Sequence, residues 1–189
     1  MSEFSGERSI VIQAPISVVY NYLSDFPRHV EWNHQPTQMT KITAGKVGVG
    51  SVFHTKEQSA SNSSGFMKLF SPLIVPMFRL MFGLHNYTVA EITNLESNRK
   101  INWKAYAPKK KGGNQVESEW ELRLESFGGG TKVTQKFHYE FFGKLGDSVK
   151  PEKVGPGTGD EVYLNLNRLK AILERETVPE QAANRAVLA

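Results

Sequence analysis

The sequence predicts one α+β domain, a seven-stranded antiparallel sheet packed on a long C-terminal helix, with two short helices between the first two strands. Three observations predict it. Residues 116–125 alternate between an inner set, Val116, Ser118, Trp120, Leu122 and Leu124, and a charged set, Glu117, Glu119, Glu121, Arg123 and Glu125. Glycine-centred turns at Gly112-Gly113 and Gly128–Gly130 join such segments as hairpins do. From about Asp160 to Glu176, Val162, Tyr163, Leu166, Leu169, Ile172 and Leu173 recur at helical spacing, opposed mostly by Asn165, Asn167, Arg168, Lys170 and Arg175. The length of 189 residues suits a single domain.

The elements follow in order. Residues 7–13 alternate with Ile10 and Ile12 inward, the period of a half-buried strand. Pro15 fits a first helical turn, and Ile16, Val19, Tyr20 and Leu23 form a stripe up to Asp25. Pro27 ends that helix, so PRHVEW forms a second short one that offers Val30 and Trp32 for burial. Residues 36–43 read as a weak strand, Gly45, Gly48 and Gly50 as a turn, and SVFHTKEQ as the third strand. LHNYTVAEITNL, INWKAYA, QVESEWELRLES and TKVTQKFHYEF complete an antiparallel meander. In the last of these Val133, Gln135, Phe137 and Tyr139 point inward and Lys132, Lys136, His138 and Glu140 outward. A Gly/Pro-rich connection over 143–159 precedes the helix, and a tail spans 177–189.

Composition removes several classes of function. There is no cysteine, hence no disulfide, thiolate nucleophile or Cys-ligated metal. The opening MSEFSGERS has no basic region leading an apolar core, and no run of 18 uncharged apolar residues occurs, so a cytoplasmic location is expected. The net charge of +4 is dispersed except at Lys109, Lys110 and Lys111, which read as a solvated hairpin tip rather than a nucleic-acid surface. The glycines of 45–50 are not closed by a lysine–hydroxyl pair and precede a strand, unlike a phosphate loop. His29 and His34 flank Trp32 and read as solvated, and no histidine has a metal-ligand spacing, so no metal and no cofactor are expected. No Gly-x-Ser-x-Gly elbow or other catalytic motif occurs. Glu91 shares a strand face with Tyr87 and Val89; that face is either inward, giving a buried carboxylate, or exposed at an edge.

The opening SIVIQAPISVVYNYLSDFPRHVEW, with its strand ending at Ala14-Pro15, helix closing at Asp25 and Trp32 a turn later, resembles the polyketide cyclase/dehydrase and lipid-transport group of the helix-grip superfamily. That superfamily includes START domains and birch-pollen-type allergens. The likeness continues in NYTVAEITNLESNRKINW, GGTKVTQKFHYEF and LNRLKAILE, over about residues 7–176. It implies a helix-grip fold, a curved sheet wrapped around the C-terminal helix with a hydrophobic cavity between them. The inward positions then line that cavity: Tyr87, Glu91, Trp103, Ser118, Trp120, Gln135, Phe137 and Tyr139 from the sheet, and Tyr163, Leu166 and Leu169 from the helix. Ser118, Gln135 and Asn165 are the polar groups that would orient a ligand.

One segment departs from the family pattern. An insertion over about 60–84 is rich in apolar residues, with 13 of the 20 from Gly65 to Leu84, interrupted by Pro72 and Pro76. It is either a helix packed on the body or a lid or membrane-facing surface carried by Phe66, Phe70, Met77, Phe78 and Phe82. The expected function is binding, with transport or sensing, of a hydrophobic small molecule or lipid, with peripheral membrane contact through 65–84 and no nucleic acid. A cyclase/aromatase-type enzyme using the same cavity is the first alternative and needs an ionisable inward pair, for example Glu91 with Tyr87; a protein-interaction module with a filled core, which needs no cavity, is the second.

Overall fold

The computed structural model describes residues 1–34, 36–57, 85 and 87–187, with side-chain surroundings in the last helix as far as 175. Its seven strands are β1 (Ser2–Ile12), β2 (Pro36–Lys41), β3 (Val52–Glu57), β4 (Thr88–Glu96), β5 (Lys100–Pro108), β6 (Asn114–Phe127) and β7 (Gly130–Phe141). They form one antiparallel sheet in the order β1-β7-β6-β5-β4-β3-β2. Alternation fixes which face is buried: Leu122, Leu124 and Val133 are buried, whereas Glu119 and Glu125 are exposed. On the exposed face Lys104 pairs with Glu119 at 2.9 Å and Lys136 with Glu7 at 3.5 Å.

The first strand starts at Ser2, earlier than the alternation suggested, and pairs with β7 from Ser2 opposite Phe141 to Ile12 opposite Thr131. Gly6 hides the pattern in the sequence. It sits opposite Phe137, and a Cβ there would stand 2.5 Å from Phe137 Cζ, so the ring of one strand fills the place of a side chain on the other.

Between β1 and β2 lie α1 (Ile16–Ser24), a 3-10 turn (Phe26–Arg28) and α2 (His29–Trp32), the bracket that Pro15 and Pro27 predict. Thr131 Oγ1 donates to Ala14 O at 2.8 Å and holds the corner where β1 passes into α1. Outside the bracket, Tyr22 O–H and Arg28 both bond the Glu31 carboxylate, and the Arg28 guanidinium lies 3.9 Å over the Tyr22 ring. Inside, Phe26, His29 and Trp32 are buried.

The Gly/Pro-rich connection expected over 143–159 is instead helical. α3 spans Gly143–Ser148, and α4 runs from Pro151 to Val187, through the stretch read as a tail. Glycine and proline disfavour helix by about 1 and 3 kcal/mol each, but Pro151 stands at the first helical position, where its missing N–H costs nothing. Further along, tertiary contact decides. A Cβ on Gly155 would lie 3.6 Å from the Phe4 ring, and the buried Gly159 abuts Arg8, so the small residues let the helix backbone approach β1.

Beyond Gly159 the helix grips the sheet as its stripe predicts. Val162, Leu166, Leu169 and Leu173 are buried in one cluster with Ile12, Val19, Leu23, Leu122 and Val133. Tyr163, expected in the stripe, is 49% exposed, because the buried line runs through positions 162, 166, 169 and 173 and turns Tyr163 outward. Polar ties lock the helix to β1: Lys170 Nζ donates to Val11 O at 2.7 Å, and Glu174 accepts from the Gln13 N–H at 2.8 Å.

Replacing Leu166 or Leu169 with Asp puts an unpaired carboxylate in this cluster and is expected to lower unfolding free energy by about 4 kcal/mol in urea titrations. Midpoints equal to wild type for both variants would refute the gripped helix.

Candidate functional site

The concave face is longer than the gripping half of α4, and the remainder forms a half-open chamber of about 410 Å³. Its walls come from β1 and β2–β7, from α2, and from the first turns of α4 through Val154 and Thr158. The floor is aromatic. Trp103 and Trp120 sit directly opposite on β5 and β6, their rings parallel within 1° and 5.7 Å apart. Phe4 stacks on Tyr139 at 5.2 Å and on Phe141 at 5.8 Å, extending the wall to the β1 edge.

His29 is the polar feature of this wall. It lines the chamber, is 3% exposed, stacks on Phe26 at 4.5 Å and meets Trp103 edge-on at 5.7 Å. Its Nε2 lies 2.8 Å from the Leu23 carbonyl, which can only accept, so Nε2 carries the proton and Nδ1 the lone pair. Burial pushes its pKa down to about 4, against the raising effect of the Leu23 bond, so the ring is neutral at physiological pH. Trp120 Nε1 donates to Ser118 Oγ at 2.9 Å, and Ser118 Oγ donates to Ala105 O at 3.2 Å, so the serine is already engaged. Thr55 also lines the chamber, 7% exposed, with its hydroxyl unpartnered. Among the described residues no Asp, Glu, Lys or Arg lines the space.

Of the residues expected to form the cavity, Tyr87, Trp103, Ser118, Trp120 and Tyr139 line it. Gln135, Phe137, Leu166 and Leu169 are buried but lie outside the lining, toward the part of the core that α4 closes. Gln135 Oε1 has no hydrogen-bond partner there. Tyr163 is turned to solvent, and Glu91 stands opposite Lys104 on the convex side, because Ala90 and Ile92 take the inward positions of β4. The Tyr87–Glu91 pair is therefore not assembled in the chamber. Asn165 is occupied elsewhere: it accepts from the His34 N–H at 3.1 Å and donates to Asn33 Oδ1 at 3.2 Å, pinning α2 to α4. Phe66, Phe70, Met77, Phe78 and Phe82, with the insertion that carries them, lie outside the described residues.

His29, read from the sequence as solvated, is a correction. The signal was present, since Phe26, His29 and Trp32 recur every third residue and so share one face of a tight helical segment. His138 faces outward as the alternation requires. There Glu3, His138 and Glu140 bring three candidate ligand atoms within 4.8 Å of one another, with Glu3 exposed. Ser5 Oγ already bonds His138 Nδ1 at 2.8 Å.

A curved antiparallel sheet closed by a long C-terminal helix around an internal space defines a helix-grip domain. The profile of the polyketide cyclase / dehydrase and lipid transport family matches residues 3–174, and the chain belongs to that family. No curated protein sequence matches it. Similar solved structures include Ara h 8.0201, at TM-score 0.58 and 10% identity over 91% of this chain and 98% of that one. A putative uncharacterized protein from Rhizobium leguminosarum aligns at TM-score 0.54 and 14% identity over 93% and 99% of the two chains. A protein from Chromobacterium violaceum aligns at 0.54 and 12% over 90% and 96%. At such identities the likeness is one of fold. No described helix is long and apolar enough to cross a membrane.

The buried imidazole links pH to stability. Its folded pKa of about 4 lies below the unfolded value near 6.5, so its neutral form contributes fully above pH 6.5 and that contribution is lost as pH falls toward 4. The rings of Phe26, Trp32 and Trp103 surround it, with no titratable group among them. Between pH 7 and 4.5 wild type is expected to lose roughly 2 to 3 kcal/mol more than His29→Gln in urea titrations. Parallel losses in the two proteins would contradict the neutral assignment.

Proposed function

We propose that the protein binds one hydrophobic small molecule in the chamber between the concave sheet and the first turns of α4. The observation that carries this reading is a space of about 410 Å³ walled by Phe4, Trp103, Trp120, Tyr139 and Phe141, with no Asp, Glu, Lys or Arg among its described lining. That is the composition of a ligand site, mostly apolar with a few polar groups that fix orientation. A filled-core interaction module has no use for such a space. The family and the fold of the Ara h 8.0201 neighbour are consistent with the same reading. A cyclase-type reaction is supported less well, since the carboxylate that would pair with Tyr87 stands on the other face of the sheet.

N-phenyl-1-naphthylamine, an uncharged fluorescent probe, is expected to bind with one-to-one stoichiometry, to brighten, and to quench tryptophan emission. Thr158→Phe places a ring from α4 into the chamber and should weaken the probe about tenfold or more while preserving the melting temperature, because it fills space without disturbing the Leu166–Leu173 cluster. Trp120→Ala removes part of the floor and should also weaken it. Folded protein that binds neither the probe nor other apolar compounds at micromolar levels would overturn the reading.

A further inference from the structure

Two polar groups in the aromatic wall have no protein partner. His29 Nε2–H is committed to Leu23 O, which leaves the Nδ1 lone pair as an acceptor, and no hydrogen bond among the described residues engages it. The indole N–H of Trp103 is likewise without a partner, unlike that of Trp120, which Ser118 satisfies. Both residues line the chamber, both are more than nine-tenths buried, and their rings are neighbours at 5.7 Å. A third, the Thr55 hydroxyl, is buried in the same wall and also unbonded. Polar groups set in an apolar wall are rarely left unpaired.

An acceptor and a donor carried by neighbouring rings of one wall complement a group that is itself both donor and acceptor. A hydroxyl meets that requirement; a carboxylate does not, because it cannot donate to Nδ1. Nor does the described lining hold a Lys or Arg to neutralise an anion, and an ionised group buried without a partner is heavily penalised. We propose that the chamber selects an uncharged, hydroxyl-bearing hydrophobic compound, whose hydroxyl donates to His29 Nδ1 and accepts from the Trp103 indole N–H. His29 and Trp103 are thus the specificity determinants, and anionic lipids such as free fatty acids are excluded. This rests on the binding reading above and names the chemistry of the ligand.

Three probes of one shape test it by calorimetry on the full chain at pH 7: 2-naphthol, 2-methylnaphthalene, which replaces the hydroxyl by a methyl group, and 2-naphthoate, which carries a negative charge. 2-Naphthol is expected to bind about tenfold more tightly than 2-methylnaphthalene, the worth of one well-placed neutral hydrogen bond. It should exceed 2-naphthoate by about a hundredfold or more. In His29→Phe, which keeps an aromatic ring and removes the acceptor, the affinity ratio of 2-naphthol to 2-methylnaphthalene should fall from about tenfold to about one. Should that variant not fold, Trp103→Phe removes the donor and should shrink the same preference, and the comparison on wild type needs no variant. If 2-methylnaphthalene or 2-naphthoate binds as well as 2-naphthol, the proposal is overturned and the binding reading survives. If none of the three binds folded protein, both fall.

Discussion

The structure depends on a change of character halfway along its longest helix. A concave sheet face is a fixed area of apolar surface, and among the described residues α4 is the long helix packed on it. From Val162 onward α4 carries large aliphatic side chains and closes that surface with Leu166, Leu169 and Leu173. From Pro151 to Gly159 the same helix carries three glycines and two prolines, and it reaches the chamber with Val154 and Thr158 alone. The backbone comes near β1, but no large side chain descends to fill the space below it. Protein interiors pack to high density wherever side chains are present to do so. The chamber is left open because, on this half of the helix, they are not.

The second element that shapes the chamber is the α1–α2 bracket. Its outer surface is held by Arg28, Glu31 and Tyr22, whose mutual contacts hold the Glu31 carboxyl below its ordinary range, chiefly through the Arg28 hydrogen bond. Its inner surface inserts Phe26, His29 and Trp32 against Phe53 and Trp103. Asn165 then ties the end of α2 to the gripping half of α4, so the bracket and the helix are positioned by one buried amide. A histidine in that setting cannot afford a charge. Its neutrality follows from desolvation, and its tautomer from the carbonyl it meets.

Membership of the family and likeness to solved structures establish an architecture shared across chains with 10–14% identity. What such distant chains share is the alternation of strands and the grip of one helix, both consequences of apolar periodicity. Facing the chamber, this chain has an imidazole whose Nε2–H is committed to Leu23 O, an indole ring neighbouring it, and no Asp, Glu, Lys or Arg among the described lining.

Order, type and facing of most elements were determined by the sequence alone. The period of 116–125 allowed only one inner face, and Trp103, Ser118, Trp120 and Tyr139 fell on the chamber side because alternation admits no other placement once Leu122 is buried. Tertiary structure decided three matters. It turned a Gly/Pro-rich stretch into helix, since approach to β1 outweighs local propensity. It divided the inward residues into those packed by α4, including Gln135, Phe137, Leu166 and Leu169, and those facing open space, a division that depends on where the bulk of another element ends. And it buried His29, whose neighbours in space include Trp103 of β5 as well as its own turn. Periodicity reports which way a side chain points; what waits there is set by residues far away in the chain, and no local pattern encodes them.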